Sequence, residues 1–198
     1  MVPILILAAG QSSRMRGIDK LTLPVDGEPV LRQQTQAARA VSQQVIVALP
    51  AWPHPRHDLV SDLDVVRLPV ADAAMGMSYS LRAGINVLPA SATAVLILLA
   101  DLPELTSADM RTVIECHQNR PDAKIVQGIT TSGAPGHPIL FVSELFQEFN
   151  QLAGDVGAKS VIAAHRSDRI SVALPGNRAI LDLDTPEDWA DWRARTGR

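Results

Sequence analysis

Two uninterrupted apolar runs, Val2–Leu7 and Ala94–Ala100 (AVLILLA), constrain the fold more than any other feature of the sequence. Each has strand length, and neither alternates with polar residues. A strand that is apolar at every position is buried on both faces, which happens in parallel sheets covered by helices. The first run is followed at once by polar residues and lacks a basic leader, so it reads as a buried strand and not as a signal or a membrane span. Stretches of helical period separate the apolar runs. Glu28–Val41 spaces Val30, Leu31, Ala37, Ala38 and Val41 along one face, and Ser78–Leu88 does the same with Leu81, Ile85 and Leu88. A third helix is expected from Thr106 to about Gln118, with Asp109 three residues after Thr106 as a near match to a capping box. Val45–Leu49 and Asp64–Leu68 complete the strands of the first half.

The second half is less regular. Strands are expected at Lys124–Gly128, Pro138–Val142, Arg169–Ala173 and Ala179–Leu183, and helices at Ser143–Leu152, Ala158–His165 and Pro186–Arg195. Strand–helix alternation predicts an α/β protein with a mainly parallel sheet between helical layers. No linker, composition break or internal repeat divides the sequence, so residues 1–198 read as one domain.

The net charge of −3 provides no broad basic face, which argues against nucleic acid as a partner. A single cysteine, Cys116, rules out an intrachain disulfide and fits a cytoplasmic protein, and nothing in the sequence suggests a membrane partner.

Ligands of such sheets sit beyond the carboxyl ends of the strands. This selects the loop after Leu7, the segment after Ala100 and the turn after Leu183. In the first, Ala8, Ala9 and Gly10 let the backbone approach a ligand closely, with Gly10 free to take positive φ. Ser12 and Ser13 add hydroxyls, and Arg14 and Lys20 add positive charge suited to phosphate oxygens. The loop is neither a P-loop nor a dinucleotide fingerprint. From the residues alone, a polyanion cradle and a surface turn with two solvated cations stand side by side.

Asp101 closes the second apolar run at the edge of the sheet, where a carboxylate can hold Mg²⁺ or cap a turn. Asp182 and Asp184 alternate along the last expected strand and would point the same way, unless Asp184 and Thr185 only cap the final helix at Pro186. Gly76, Ser78 and Ser80 open a helix whose N-terminus suits an anion, although Ser78 could simply cap it. His54 and His57 read as solvated, Trp189 and Trp192 as packing residues, and His137, between glycine and proline, more as a structural residue than as a ligand contact. No Ser–His–Asp or Cys–His set stands out as a source of nucleophilic catalysis.

The stretch LAAGQSSRMRGIDK resembles the signature of the NTP transferase superfamily that activates sugars and cofactors, and LADLP, GMSYSLRAG and DTPED resemble its later motifs in the same order. Within it, the chain looks most like the molybdenum-cofactor nucleotidyltransferases. The resemblance implies a three-layer Rossmann-like sandwich of the nucleotide-diphospho-sugar transferase type. It also implies a Mg²⁺-dependent transfer of a nucleoside monophosphate to a phosphate-bearing acceptor, with release of pyrophosphate. Carried onto this chain, it places the nucleotide against Leu7, Ala8, Ala9, Gly10, Ser12, Ser13, Arg14, Lys20 and Leu99. Arg14, Lys20 and Asp101 become catalytic, and Asp101 and Asp184, favoured over Asp182, become the metal ligands. The acceptor would meet Gly76, Ser78, Ser80 and His137, and also Asp155, which could equally cap a helix. Ala9 resembles the cytidylyltransferase branch, which implies CTP and a molybdopterin-type acceptor, with a molybdoenzyme or its chaperone as protein partner. A guanylyl or other nucleotidyl transfer to molybdenum cofactor or to a sugar or polyol phosphate is the nearest alternative. A non-catalytic cofactor chaperone is the second.

Overall fold

The computed structural model describes residues 1–198 apart from the side chain of Asp155. Seven strands form one sheet: β1 (Ile4–Leu7), β2 (Val45–Pro50), β3 (Val66–Val70), β4 (Ala94–Leu99), β5 (Ile125–Ile129), β6 (Pro135–Val142) and β7 (Arg169–Ala173). Their order is β3-β2-β1-β4-β6-β5-β7. Every pairing is parallel except those of β6, which runs antiparallel to β4 and to β5. The α/β fold with a mainly parallel sheet is therefore as the apolar runs require.

Successive side chains of a strand point to opposite faces, and both faces here are covered. Ile4 and Ile6 of β1 pack with Leu96 and Leu98 beneath α1 (Val30–Arg39), α3 (Ser107–Asn119) and α6 (Pro186–Thr196). Leu5 and Leu7 pack with Val95 and Ile97 beneath α2 (Met77–Asn86), α4 (Phe146–Phe149) and α5 (Lys159–Ala164). Ile4, Leu5 and Ile6 are wholly buried. At about 1.5–3 kcal/mol for each buried aliphatic side chain, burial of this central ribbon contributes strongly to holding the sheet together. A Cβ on Gly84 of α2 would meet Leu5 Cδ2 at 2.4 Å, so glycine there lets α2 lie close against β1. Both capping boxes are complete: Thr106 with Asp109 starts α3, and Thr185 with Asp188 starts α6, with Pro186 in its first turn. Trp189 and Trp192 pack edge to face in the interior, with ring centroids 5.9 Å apart.

Several expected elements differ. Glu28–Pro29 pairs with Pro24–Val25 as a short hairpin, so α1 starts at Val30. Ser143–Leu152 breaks into a 3-10 turn and the single-turn α4. Ala179–Leu183 is not a strand. The amides of Ile180 and Leu181 both donate to Asn177 O, which closes a turn, and only isolated bonds tie the segment to the sheet, from His137 N to Ala179 O and from Leu183 N to Asp101 O. Its alternation reflects burial of Ala179 and Leu183 around an exposed Ile180, without a strand partner. His57 is also not solvated. It is fully buried, stacks on Trp52 with centroids 3.6 Å apart and bonds Pro50 O through Nε2.

Candidate active site

From β1 the strand order runs outward through β2 and β3 on one side and through β4 on the other. The crevice beyond the carboxyl ends of β1 and β4 is therefore the topological switch point, where open α/β sheets bind ligands. In register, Leu7 lies beside Leu99, which brings the loop starting at Ala8 next to Asp101.

Arg56, which is only 2% exposed, shapes that loop from below. It donates through Nη1 to Ala8 O at 2.6 Å and Gly10 O at 2.7 Å, through Nη2 to Ser12 Oγ at 3.0 Å, and through Nε and Nη2 to both oxygens of Asp19 at 2.7 Å. One planar guanidinium thus holds both ends of the loop. With these carbonyls turned to Arg56, the amides of Ala9 to Arg14 donate to no backbone carbonyl among the described residues. A run of unengaged N–H groups around a cavity is what an anion requires. The left-handed residue that makes the turn is Ser12, with φ 52°, and not Gly10. At Gly10 a Cβ would project into open space, so its absence widens the approach to the backbone.

Asp19 also accepts from Leu21 N and caps the turn that begins with Lys20. Burial works against charge on Asp19, but hydrogen bonds and charge from Arg56 outweigh it and hold the carboxyl below the usual aspartate range. Lys20 is thereby aimed at the carboxylates. Its Nζ bonds Asp101 Oδ2, and it bonds Asp184 Oδ1 at 2.5 Å, while Arg14 reaches Asp184 Oδ2 at 2.5 Å. Burial opposes the ammonium, but Asp101 and Asp184 together keep its pKa above the normal lysine value. The residues singled out in the loop, at Asp101 and at Asp184 therefore converge.

All of them line one cavity of about 400 Å³ together with Leu7, Leu99 and Asp182. Burial, then the charges of Asp184 and Asp101, push the Asp182 carboxyl above the usual range. Three carboxylates thus face two cations, and Asp101 Oδ1 is buried with no hydrogen-bond partner. This oxygen-only, net negative donor set fits a hard divalent cation. Among the described residues no group of three His, Cys, Asp or Glu side chains is arranged to hold a metal by itself.

The acceptor candidates divide. Gly76 and Ser80 line the same cavity, and Gly76 holds a backbone conformation (φ 126°, ψ 166°) that L side chains rarely adopt, just before α2. Ser78 does not reach the cavity: it is wholly buried, its Oγ has no hydrogen-bond partner, and it does not cap α2, whose N-cap is Gly76. His137 lines a neighbouring cavity of about 620 Å³ and approaches Ile97 O at 3.3 Å, and burial of its ring lowers its pKa. The Asp155 side chain lies outside the described residues.

Arg56 and Asp19 are the functional pair that motif reading missed. Arg56 stands between His54 and His57, which read as solvated, and only its partners across the fold reveal its role. Arg166 and Arg169, which line the 620 Å³ cavity, match no motif or spacing rule in the sequence.

No helix among the described residues is long and apolar enough to cross a membrane. The chain is 28% identical to the molybdenum cofactor cytidylyltransferase of Escherichia coli K12, covering 98% of this chain and 96% of that protein. It is 26% identical to the purine catabolism protein PucB of Bacillus subtilis, over 92% and 91% of the two chains. A crystal structure of Rv0371c from Mycobacterium tuberculosis in complex with manganese superposes with a TM-score of 0.74 at 25% identity, covering 96% of each chain. The family described as the MobA-like NTP transferase domain matches residues 4–170. With residues 4–170 matched, the chain belongs to the MobA-like NTP transferase domain family.

Proposed function

We propose that this protein transfers CMP from CTP to the terminal phosphate of a molybdopterin-type cofactor, with Mg²⁺ as the metal and pyrophosphate as the leaving product. The observation that carries the proposal is the convergence of the free amides of Ala9 to Arg14 with Lys20, Asp101 and Asp184 at one end of the sheet. A triphosphate laid on those amides brings its α-phosphorus towards the carboxylates. Lys20 and Arg14 then turn from Asp184 to the phosphate oxygens and meet the charge that builds on the nonbridging and departing oxygens. The acceptor phosphate oxygen forms the new P–O bond as the bond between the α-phosphorus and the α–β bridging oxygen breaks, so no protein nucleophile is needed. Asp101 and Asp184 would hold the metal, which when bound supplies charge neutralisation at the polyphosphate.

The cytidylyl assignment is supported by Ala9 in the loop and by the name of the Escherichia coli relative. A divalent metal is supported by the manganese bound to Rv0371c. Residues 1–198 would act as one nucleotidyltransferase domain, since both halves contribute strands to one sheet. A cytoplasmic site of action, with a molybdoenzyme or its chaperone receiving the product, goes with the same proposal. The test is a panel of the four NTPs against molybdopterin-type, sugar phosphate and polyol phosphate acceptors, with pyrophosphate release as the readout. Release with CTP and the molybdopterin acceptor is expected. Release only with another nucleotide or acceptor would reassign the substrates, and binding of CTP and Mg²⁺ without release would favour the chaperone alternative.

A further inference from the structure

The two aspartates of the carboxylate cavity come from two separately built parts of the molecule. Asp101 closely follows β4 and is tied to the sheet through that strand. Asp184 follows Ala179–Leu183, which forms no ladder, and the backbone bond from this stretch to Asp101, Leu183 N to Asp101 O, is long at 3.4 Å. Asp184 is held instead by α6. Its amide and that of Thr185 donate to Asp188 Oδ2, at 3.2 Å and 2.8 Å, within the capping box that starts the helix. Wherever α6 sits, Asp184 goes with it.

The placement of α6 therefore sets the placement of the second aspartate. Burial of Trp189 and Trp192 holds the helix against the body of the protein, but apolar burial has no direction and does not by itself fix how far the helix slides or rolls. One interior contact is directional: Trp192, which is 2% exposed, donates its Nε1–H to Glu104 Oε1 at 2.9 Å. Arg195 adds a looser contact to the same carboxylate at 3.5 Å. Trp189 Nε1 is buried with no partner, and the bonds of Arg16 to Glu187 and of Arg193 to Pro24 O lie on the exposed surface. Glu104 itself stands in the stretch that leaves Asp101, between the buried Leu102 and Leu105. That stretch is fixed from the other side by the buried Gln34 of α1, which donates through Nε2 to Leu105 O at 3.1 Å.

We infer that Glu104 is a positioning residue for the metal: by holding Trp192 it sets where Asp184 stands relative to Asp101. Glu104 does not line the carboxylate cavity, so it acts only through these partners. The inference rests on the reading of Asp101 and Asp184 as metal ligands and adds the residue that keeps them in register.

The test uses the full chain with Mn²⁺ alone as the probe, and binding is read from the EPR signal of the free ion. Groups that orient metal ligands contribute about tenfold or more to affinity, so Glu104→Ala should weaken Mn²⁺ binding about tenfold. Glu104→Gln keeps an oxygen for the indole N–H and should restore most of that loss. Trp192→Phe keeps much of the ring packing but has no donor, and should match Glu104→Ala. The double variant should be no weaker than either single one, because both remove the same hydrogen bond. A merely structural role would lower the thermal midpoint and leave the Mn²⁺ affinity of the folded protein unchanged. Wild-type affinity in folded Glu104→Ala, or a loss in Glu104→Gln as large as in Glu104→Ala, would overturn the inference. The two Glu104 variants decide the matter alone if Trp192→Phe folds poorly. Asp101→Ala separates the two levels. If it binds Mn²⁺ as well as the wild type, the metal reading falls and the role of Glu104 with it. If Asp101→Ala loses the ion while Glu104→Ala keeps it, the positioning role alone falls.

Discussion

The two ends of the binding surface are built in opposite ways. At the switch point between β1 and β4 each cationic side chain has a carboxylate partner: Arg56 with Asp19, Lys20 with Asp101 and Asp184, Arg14 with Asp184. At the β7 end the cations have none among the described residues, and the wall is mostly apolar. The first end is preorganised. Its charges are gathered at one place before any ligand arrives, so that Lys20 and Arg14 have only to exchange Asp184 for phosphate oxygens. The second end has charge to spare and few fixed dipoles, which suits discrimination among acceptors better than bond making. On the proposed function, chemistry and specificity would be divided along the sheet.

That division can be broken or sharpened by substitution. The largest effect is expected at the paired end, where Asp101→Ala should lower kcat/KM by about 10³-fold or more, equivalent to about 4 kcal/mol. The fold should survive, because the side chain lies at the sheet edge, so the thermal midpoint should stay near that of the wild type. Retained turnover at saturating Mg²⁺ would contradict the assignment. Next, Arg56→Met leaves Asp19 and two loop carbonyls without their donor. A loss of about 3 kcal/mol of stability and a fall in midpoint of about 9 °C are expected, together with weaker CTP binding, all readable by calorimetry. If CTP affinity were unchanged in folded protein, the loop would not depend on its guanidinium clamp.

Lys20→Ala should act mainly on the triphosphate, raising the KM for CTP by about thirtyfold, or about 2 kcal/mol, while the acceptor KM changes little. Equal effects on both substrates would blur the division between the ends. The smallest effect is expected at His137. Burial depresses its folded-state pKa, so the neutral ring contributes stability that is present above the unfolded value of about 6.5 and is lost as pH falls towards the folded value. Denaturant midpoints measured between neutral and mildly acidic pH should decline less steeply in His137→Asn than in the wild type. Parallel curves would show that the histidine does not drive the decline.

The same contrast explains what could be read from the sequence. Val2–Leu7 and Ala94–Ala100 declare a two-sided buried sheet because burial on both faces leaves no polar position, and the loop from Ala8 to Lys20 is contiguous, so its chemistry is visible as a string. Arg56 was not legible. Its function depends on partners at Ala8, Gly10, Ser12 and Asp19 that only the folded chain brings to it, and an arginine among prolines otherwise looks solvated. Ala179–Leu183 misleads for a related reason, since period-2 burial occurs there without a neighbouring strand to pair with. Ser78 shows that a serine within an anion-binding pattern can face the interior, where helix geometry and not motif decides direction.

The central claim is that the loop amides and the two aspartates enclose one divalent ion and its polyphosphate. A crystal structure with CTP and Mn²⁺, with the ion located by its anomalous signal, tests this most directly. The account predicts a single ion bound by oxygens of Asp101 and Asp184, with the triphosphate along the amides of Ala9 to Arg14. Triphosphate density away from that loop, or an ion without either aspartate in its shell, would contradict it.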